Sequence, residues 1–346
     1  MDRKFLEEML DTVSVSGYET ELQKKVIEHM KPICDEIQTD ATGNVISVLN
    51  PESDVKILLC GHIDEIGFIV THIQEDGFLR VTQAGGVRCA LYVGTHVQIK
   101  TKNKIVKGVV VTNSSLLKKD KVEAEDLIID IGASSKSEAM EEVSVGDCVC
   151  AATSYEYLMK DRMTARAMDD RIGAFIVLEA LKRAKEKGCV NGVYSATTVG
   201  EETTMRGAYW ASQKVKPTVA IAVDVTYTSD YDGVNPLATG EVGIGKGAVL
   251  CHSSIVNKKV NEILEACAKK LDLPLQYEIA AGRTGTDADH VHFTNDGVPV
   301  ALLSIPLRYM HSSVETLSLK DVEDIIELLS EFLCTIQLDT DLDPLH

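Results

Sequence analysis

The sequence lacks the features that mark several large classes of protein. No stretch reaches the roughly 18 uninterrupted apolar residues that a membrane-spanning helix needs. Its 9 cysteines are an odd number without a single CxxC pair, so a disulfide framework is not indicated. With only 8 prolines and 45% hydrophobic residues, the composition excludes a disordered chain, a collagen and a mucin-like stalk. The chain is therefore predicted to be a globular protein with a sizeable core.

Positive charge is also scarce. The chain has 35 Lys and Arg against 53 Asp and Glu, which gives a formal net charge of −18. Such a surface repels the phosphates of nucleic acids and of anionic membranes, so neither is expected as a partner. The first seventeen residues have the pattern of an amphipathic helix and lack the apolar region of a signal peptide. These features and the unpaired thiols predict a cytoplasmic location.

The pattern of elements predicts one domain inserted into another. A length of 346 residues corresponds to about two domains. Before residue 67 and after residue 162, helical segments alternate with apolar strands, which is typical of an α/β fold with a largely parallel sheet. Between them, short β-rich pieces alternate with Gly and Asn/Asp/Lys turns, which predicts a small barrel or sandwich. We therefore predict a discontinuous α/β domain over 1–66 and 163–346, with a β-rich domain over 67–162.

The first candidate site residues are His62 and Asp64, directly after the apolar run VKILLC. Ligands of open α/β sheets bind beyond the carboxyl ends of the strands, which is where these two residues emerge. A carboxylate bonded to one imidazole nitrogen leaves the other nitrogen free for a metal ion. The alternative is a polar turn that caps the strand.

Two pairs of adjacent acids follow in the sequence. Asp169 and Asp170 precede a predicted helix, where one carboxylate serves as an N-cap and the other is left over as a candidate ligand. Glu201 and Glu202 follow the strand YSATT, where two neighbouring carboxylates repel each other unless a cation or a proton offsets them. A metal hydrolase needs one carboxylate as ligand and another that takes a proton from water. A solvated loop is the alternative interpretation.

Asp224 and His311 complete the set, each after a further apolar strand. Either residue alone is weak evidence for a metal site. A single histidine at such a position is often a structural hydrogen-bonding group. Together the five segments bring two histidines and several carboxylates to one predicted sheet edge, enough for two divalent ions. His, Asp and Glu donors without thiolate indicate a catalytic zinc, cobalt or manganese site.

In six segments the sequence resembles a known family. The segments that carry the resemblance occur in the family's order and spacing: GHIDEIGF, DDRIGA, EETTMRGA, AVDVT, GTDA and IPLRYMHSSVE. They resemble the M42 metallo-aminopeptidases, also called the tetrahedral or glutamyl aminopeptidases, some of which carry an older "cellulase M" label. The resemblance covers essentially the whole chain.

The resemblance implies a role for each candidate residue. His62 and Asp224 would bind one metal ion, Glu202 and His311 would bind the other, and Asp169 would bridge the two. Glu201 would be the general base and Asp64 would orient His62. The inserted domain would mediate dimerisation, and peptides would be cleaved by a homo-oligomer built from dimers, in some members a dodecamer.

The sequence departs from the family pattern at several positions. None of them is a candidate ligand or the candidate base, so these departures bear on substrate preference. Gly200 stands where Gln is usual, and Thr203 and Thr204 stand where Val-Gly is usual.

Three other functions remain open: a metal-dependent deacylase or deacetylase of N-acyl amino acids or sugars, a glycoside hydrolase, and a scaffold without catalysis. The preferred N-terminal residue does not follow from the sequence.

Overall fold

The computed structural model of the chain contains one large mixed sheet, a closed barrel and a small third sheet. It describes residues 1–346, apart from the side chains of Ala238 and Thr239. The α-helices are α1 (Arg3–Asp11), α2 (Thr20–Met30), α3 (Lys136–Glu142), α4 (Met168–Glu186), α5 (Glu201–Thr204), α6 (Arg206–Val215), α7 (Pro236–Thr239), α8 (Lys258–Lys270), α9 (Ala288–Val291) and α10 (Leu319–Thr335).

The strands follow in chain order. They are β1 (Glu36–Thr39), β2 (Val45–Leu49), β3 (Lys56–His62), β4 (Gly67–Ile73), β5 (Leu79–Ala84), β6 (His96–Lys100), β7 (Ile105–Val110), β8 (Ile128–Asp130), β9 (Cys148–Ala151), β10 (Glu156–Tyr157), β11 (Arg162–Ala165), β12 (Gly192–Thr198), β13 (Val219–Tyr227), β14 (Ala248–Ser253), β15 (Leu275–Ala280), β16 (Val300–Leu307) and β17 (Glu315–Ser318).

The large sheet has eight strands in the order β1-β2-β12-β3-β13-β16-β14-β15. Its centre is parallel, because β3 pairs in parallel with β12 and β13, and β13 pairs in parallel with β16. These central strands are almost wholly buried, as their continuous apolar sequences predict. The predicted fold class is confirmed, and the parallel centre places several strand ends at one edge.

Helix α4 packs closely against β3 on one face of this sheet. A Cβ atom at Gly61 would lie 2.5 Å from the backbone of Gly173 and Ala174, so the absence of a side chain allows this approach. Phe175 on α4 and Leu59 on β3 belong to the same buried apolar cluster. The contact fixes the start of α4, and with it Asp169, beside the end of β3.

The barrel is formed by six strands in the order β4-β5-β8-β7-β6-β9 and has its own apolar core. The chain leaves the large sheet after β3 and returns through β10 and β11, where β11 pairs with β17. The arrangement corresponds to an insertion, while the exact limits at 66/67 and 162/163 stay a prediction. Among the described residues, no helix is both long and apolar enough to cross a membrane.

Candidate metal centre

The candidate residues converge at the edge where the central parallel strands end. His62 is the last residue of β3, Asp224 lies near the end of β13, and Glu201 and Glu202 follow β12 after a short turn. His311 follows β16 and has a left-handed backbone with φ of 61°. The parallel pairing of these strands therefore brings together residues that are far apart in sequence.

Asp169 lies between the two imidazoles. Its Oδ1 is 3.2 Å from Nε2 of His62, and its Oδ2 is 3.3 Å from Nε2 of His311. Burial alone would raise the pKa of Asp169, but both histidines lower it below its usual value. The carboxylate of Asp169 thus presents one oxygen to each histidine.

Glu201 and Glu202 approach the same centre from the start of α5. Oε2 of Glu201 is 3.6 Å from Nε2 of His62, and Oε2 of Glu202 is 3.6 Å from Nε2 of His311. Burial raises the pKa of both glutamates well above the usual value, and the neighbouring carboxylates raise it further. The charge of Glu201 is one of those that raise the pKa of Glu202, after burial and Asp169.

Two observations show that the donor set fits divalent metal ions. Within the described part of the chain, Oε1 of Glu201 and Oε1 of Glu202 are buried without a hydrogen-bond partner. In addition, one ligand atom each of His62, Asp169 and Glu202 lie within 4.8 Å of one another. Buried carboxylate oxygens without donors are costly unless a cation balances them.

A neighbouring buried glutamate provides a contrast. Glu65 is buried like the site acids, but it forms salt bridges with Arg166 and Arg171, which are also buried. Burial alone would raise its pKa, yet the two arginines lower it. The chain balances this carboxylate with two arginines, whereas the nearest basic side chains of Glu201 and Glu202 are the imidazoles of His62 and His311.

Asp64 is fully buried and connects His62 to α5. Its Oδ1 is 3.5 Å from Nδ1 of His62, while its two oxygens accept the backbone N–H groups of Glu201, at 3.1 Å, and Glu202, at 3.3 Å. Burial alone would raise the pKa of Asp64, and His62 holds it below its usual value. The Asp64 carboxylate thus fixes the turn that carries the glutamates and faces the imidazole, whose Nδ1 is 3.2 Å from the backbone carbonyl oxygen of Asp64.

Asp170 and Asp224 form a second group with His62. One ligand atom of each lies within 4.8 Å of the other and of a ligand atom of His62. The oxygens of Asp170 already accept the N–H groups of His62 at 3.2 Å and Gly173 at 3.1 Å, so Asp170 caps the regular part of α4. Burial raises the pKa of Asp224 well above its usual value.

Sequence reasoning missed a positioning role for Glu315. Its two oxygens accept the backbone N–H groups of His311, at 2.7 Å, and of Asp169, at 3.1 Å. Burial, and then the charge of Asp169, raises its pKa well above the usual value. The available signal was an acid four residues after a candidate histidine, although acids at such spacing are common on surfaces.

The unusual Gly200 has a structural reason. Its φ is +67°, and a Cβ atom there would lie 2.0 Å from Nη1 of Arg206. Thr203, which directly follows the pair of glutamates, has its Oγ1 3.0 Å from Oγ of Ser16. His292, which follows α9, has its Nδ1 3.1 Å from the carbonyl oxygen of Ala288.

A cavity of about 440 Å³ opens beside the centre. The barrel reaches it through Gly86, whose carbonyl oxygen is 2.9 Å from Nδ1 of His311. The cavity is lined by Gly86, Asp169, Glu201, Glu202, Met205, Asp224, Val225, Thr226, Tyr227, Cys251, Glu278, Ala280, Thr284, Gly285, Thr286, Leu302, Met310 and His311. It is large enough for a small substrate group next to the metal-binding residues.

Comparison with known proteins shows a family match over most of the chain. The family model of the M42 glutamyl aminopeptidases matches residues 43–328. The lysyl aminopeptidase of Pyrococcus furiosus is 33% identical over 341 residues, which cover 96% of this chain and 97% of that protein.

Two solved structures have the same fold over nearly their whole length. The TET aminopeptidase of the marine sediment archaeon Thaumarchaeota archaeon SCGC AB-539-E09 has 34% identity and a TM-score of 0.91, with 98% of this chain and 97% of that chain covered. The TET1 peptidase of Pyrococcus horikoshii, which can assemble into a tetrahedron or a large octahedral shell, has 31% identity and a TM-score of 0.87. That match covers 96% of this chain and 99% of that chain.

Proposed function

The chain belongs to the M42 glutamyl aminopeptidase family, and on that premise we propose that it removes N-terminal residues from peptides with two divalent metal ions. It is a metal-dependent aminopeptidase, and the finer proposal concerns the number of ions and the roles of the residues. The observation that carries it is Asp169, whose two oxygens lie 3.2 Å and 3.3 Å from the imidazoles of His62 and His311.

The proposed ligands divide between the two sides of Asp169. In this proposal His62 and Asp224 would hold one ion and Glu202 and His311 would hold the other. Asp169 would be a ligand of both. Nitrogen and carboxylate donors of this kind suit zinc, cobalt and manganese. When bound, the ions supply the Lewis acidity that activates water and polarises the scissile carbonyl.

Glu201 is the proposed general base. Its side chain lines the cavity, and its Oε1 has no hydrogen-bond partner among the described residues, so it is free to accept a proton. In this proposal Glu201 takes a proton from the attacking water and passes it to the leaving amine, while Asp64 holds His62 in place. Of the two groups of residues that could hold a metal ion, His62 with Asp169 and Glu202 and His62 with Asp170 and Asp224, one contains Glu202 and neither contains Glu201.

We also propose that the chain acts as a homo-oligomer on peptide substrates. The assembly into closed shells of the P. horikoshii relative supports this proposal. A dimer formed through the barrel, and a dodecamer built from dimers, are the expected forms. All nine cysteines are free in the structure, and the cytoplasmic location stays a prediction.

Metal analysis combined with substrate hydrolysis tests the proposed function. We expect two divalent ions per subunit and hydrolysis of aminoacyl p-nitroanilides that have a free α-amino group. The matched N-acetylated anilides should be poor substrates. Release of acetate from N-acetyl amino acids, without hydrolysis of aminoacyl anilides, would instead favour a deacetylase and contradict the proposal.

A further inference from the structure

The cavity beside the metal centre contains a carboxylate that the reaction does not use. Glu278 lies on the edge strand β15, and it lines the cavity together with Asp224 and Leu302. Residues Tyr277 and Ile279 on the same strand are exposed on the opposite face. Because successive side chains of a strand point to opposite faces, the side chain of Glu278 points toward the cavity.

The partners of Glu278 are neutral. Its Oε1 accepts a hydrogen bond of 2.7 Å from the Ser304 hydroxyl, and its Oε2 accepts one from the Thr226 hydroxyl. In the described part of the chain, no lysine, arginine or histidine forms a salt bridge with Glu278. Burial raises its pKa, although both hydroxyl groups lower it. The protein thus holds this carboxylate in a fixed position without a countercharge.

The charge balance of the cavity lining also singles out Glu278. Two divalent ions bring four positive charges, which offset Asp169, Glu201, Glu202 and Asp224 at the centre. No lysine or arginine is among the residues that line the cavity. Glu278 is then the carboxylate that a substrate entering the cavity meets without compensation.

The remaining lining suits a long side chain that ends in a cation. Four further lining residues supply apolar surface to the cavity: Met205, Tyr227, Leu302 and Met310. An apolar stem packs on such surface while its charged end reaches a carboxylate. Lysine and arginine have this construction, whereas aspartate and glutamate would bring a second negative charge.

We propose that Glu278 is a specificity-determining residue that selects peptides with lysine or arginine at the N-terminus. The inference rests on the proposed function, because the cavity must receive the side chain of the residue that is removed. A charge-assisted hydrogen bond in a buried site is worth roughly a factor of 10 to 100 in rate or binding. Peptides that begin with glutamate should be the poorest substrates.

The test compares lysyl, norleucyl and glutamyl p-nitroanilides, since norleucine has the lysine stem without its ammonium group. For the wild-type enzyme we expect kcat/KM for the lysyl substrate to exceed that for the norleucyl substrate by at least about tenfold. In Glu278→Gln this ratio should fall to near one, with hydrolysis of the norleucyl substrate retained. Glu262→Gln makes the same charge change at an exposed residue of α8 and should keep the wild-type ratio.

Each outcome separates this inference from the proposed function. Equal or faster hydrolysis of the norleucyl substrate by the wild type would overturn the inference and leave the aminopeptidase intact. A Glu278→Gln enzyme that keeps the lysyl preference would also overturn it. Hydrolysis of none of the three anilides would contradict the proposed function itself.

A second measurement does not depend on a folded variant. Free lysine should inhibit the wild-type enzyme at concentrations at least about tenfold lower than free norleucine. Equal inhibition by the two amino acids would contradict the role of Glu278.

Discussion

Asp64 connects the imidazole of His62 to the turn that carries the paired glutamates. One carboxylate faces Nδ1 of His62 and accepts the N–H groups of both Glu201 and Glu202. A carboxylate behind a metal-binding histidine fixes the ring and increases its basicity. Loss of Asp64 should therefore disturb a ligand from each side of the centre.

We expect Asp64→Asn to weaken metal binding by about 10- to 100-fold. Asparagine has one acceptor oxygen, so its amide group would face either a backbone N–H or the imidazole without a matching partner. Competition with a chromophoric chelator measures the affinity. Asp296→Asn, at an exposed position, makes the same charge change and should bind metal like the wild type. Unchanged affinity in Asp64→Asn would contradict the role of Asp64.

The adjacent glutamates should respond differently to the same substitution. Glu201→Gln should lower kcat by about 10²- to 10⁴-fold and retain the metal, because it removes only the proposed base. Glu202→Gln should instead lose metal, because it removes a proposed ligand. Steady-state kinetics and metal analysis of both variants distinguish the two roles. Near-normal activity of Glu201→Gln would show that the base is another residue.

At the residue scale, the sequence identifies candidate site residues but does not assign a role to each of them. Adjacent acids at Glu201 and Glu202 indicate a special site, but their separate roles came from the family resemblance. Glu278 could not be found, because a glutamate in LQYEIA has the pattern of a partly exposed strand. Only the tertiary fold turns its side chain into the cavity.

At the scale of elements, the close approach of α4 to β3 controls the geometry of the centre. The approach depends on Gly61, next to His62, and its partner helix begins with Asp169 and Asp170. Any displacement of the helix therefore moves the bridging carboxylate relative to the imidazole. Stability and metal binding are coupled at this contact.

We expect Gly61→Ala to lower the free energy of unfolding by about 1–3 kcal/mol, because the new Cβ overlaps the backbone of α4. Its metal affinity should also fall. Urea denaturation and chelator competition measure the two effects. Gly282→Ala is the matched control, since a Cβ there meets no atom within 4 Å. A fully stable Gly61→Ala protein would contradict the proposed coupling.

The elements that the sequence predicted well are those with long uniform patterns. The apolar run VKILLC and the helix predicted after Asp170 correspond to β3 and to the regular part of α4. The edge strand β15 was missed because its burial changes from residue to residue. The short α3 was missed because seven residues carry little helical periodicity.

At the scale of the whole molecule, the inserted barrel takes part in the centre. The carbonyl oxygen of Gly86 is 2.9 Å from Nδ1 of His311. A Cβ atom at Gly86 would lie 2.7 Å from Cε1 of the same imidazole. The sequence indicated an insertion from the change in texture after residue 66. It did not indicate this contact, which joins residues 225 positions apart.

Metal removal should lower the thermal stability of the protein. Without cations, the buried carboxylates of the centre repel one another, whereas metal at 100 times its Kd contributes about 2.7 kcal/mol per site. This corresponds to a fall in Tm of roughly 5 °C after treatment with a chelator. Calorimetry before and after metal is added back measures it, and an unchanged Tm would contradict the account.

The size of this stabilisation should depend on pH. The pKa values of Glu201, Glu202 and Asp224 are raised in the folded metal-free chain, mainly by burial. These groups hold protons more tightly when folded, so the metal-free protein loses stability as the pH rises from about 4 through those values. The gain in Tm from metal should therefore be larger at about pH 7.5 than at about pH 5.5. A larger gain at the lower pH would contradict this assignment.

The most direct test of a two-metal centre bridged by Asp169 is an anomalous difference map of zinc-loaded crystals, recorded at the zinc edge. The account predicts two peaks per subunit, one on each side of the Asp169 carboxylate. One should lie beside His62 and Asp224, and the other beside His311 and Glu202. A single peak, or two peaks that do not share Asp169, would contradict it.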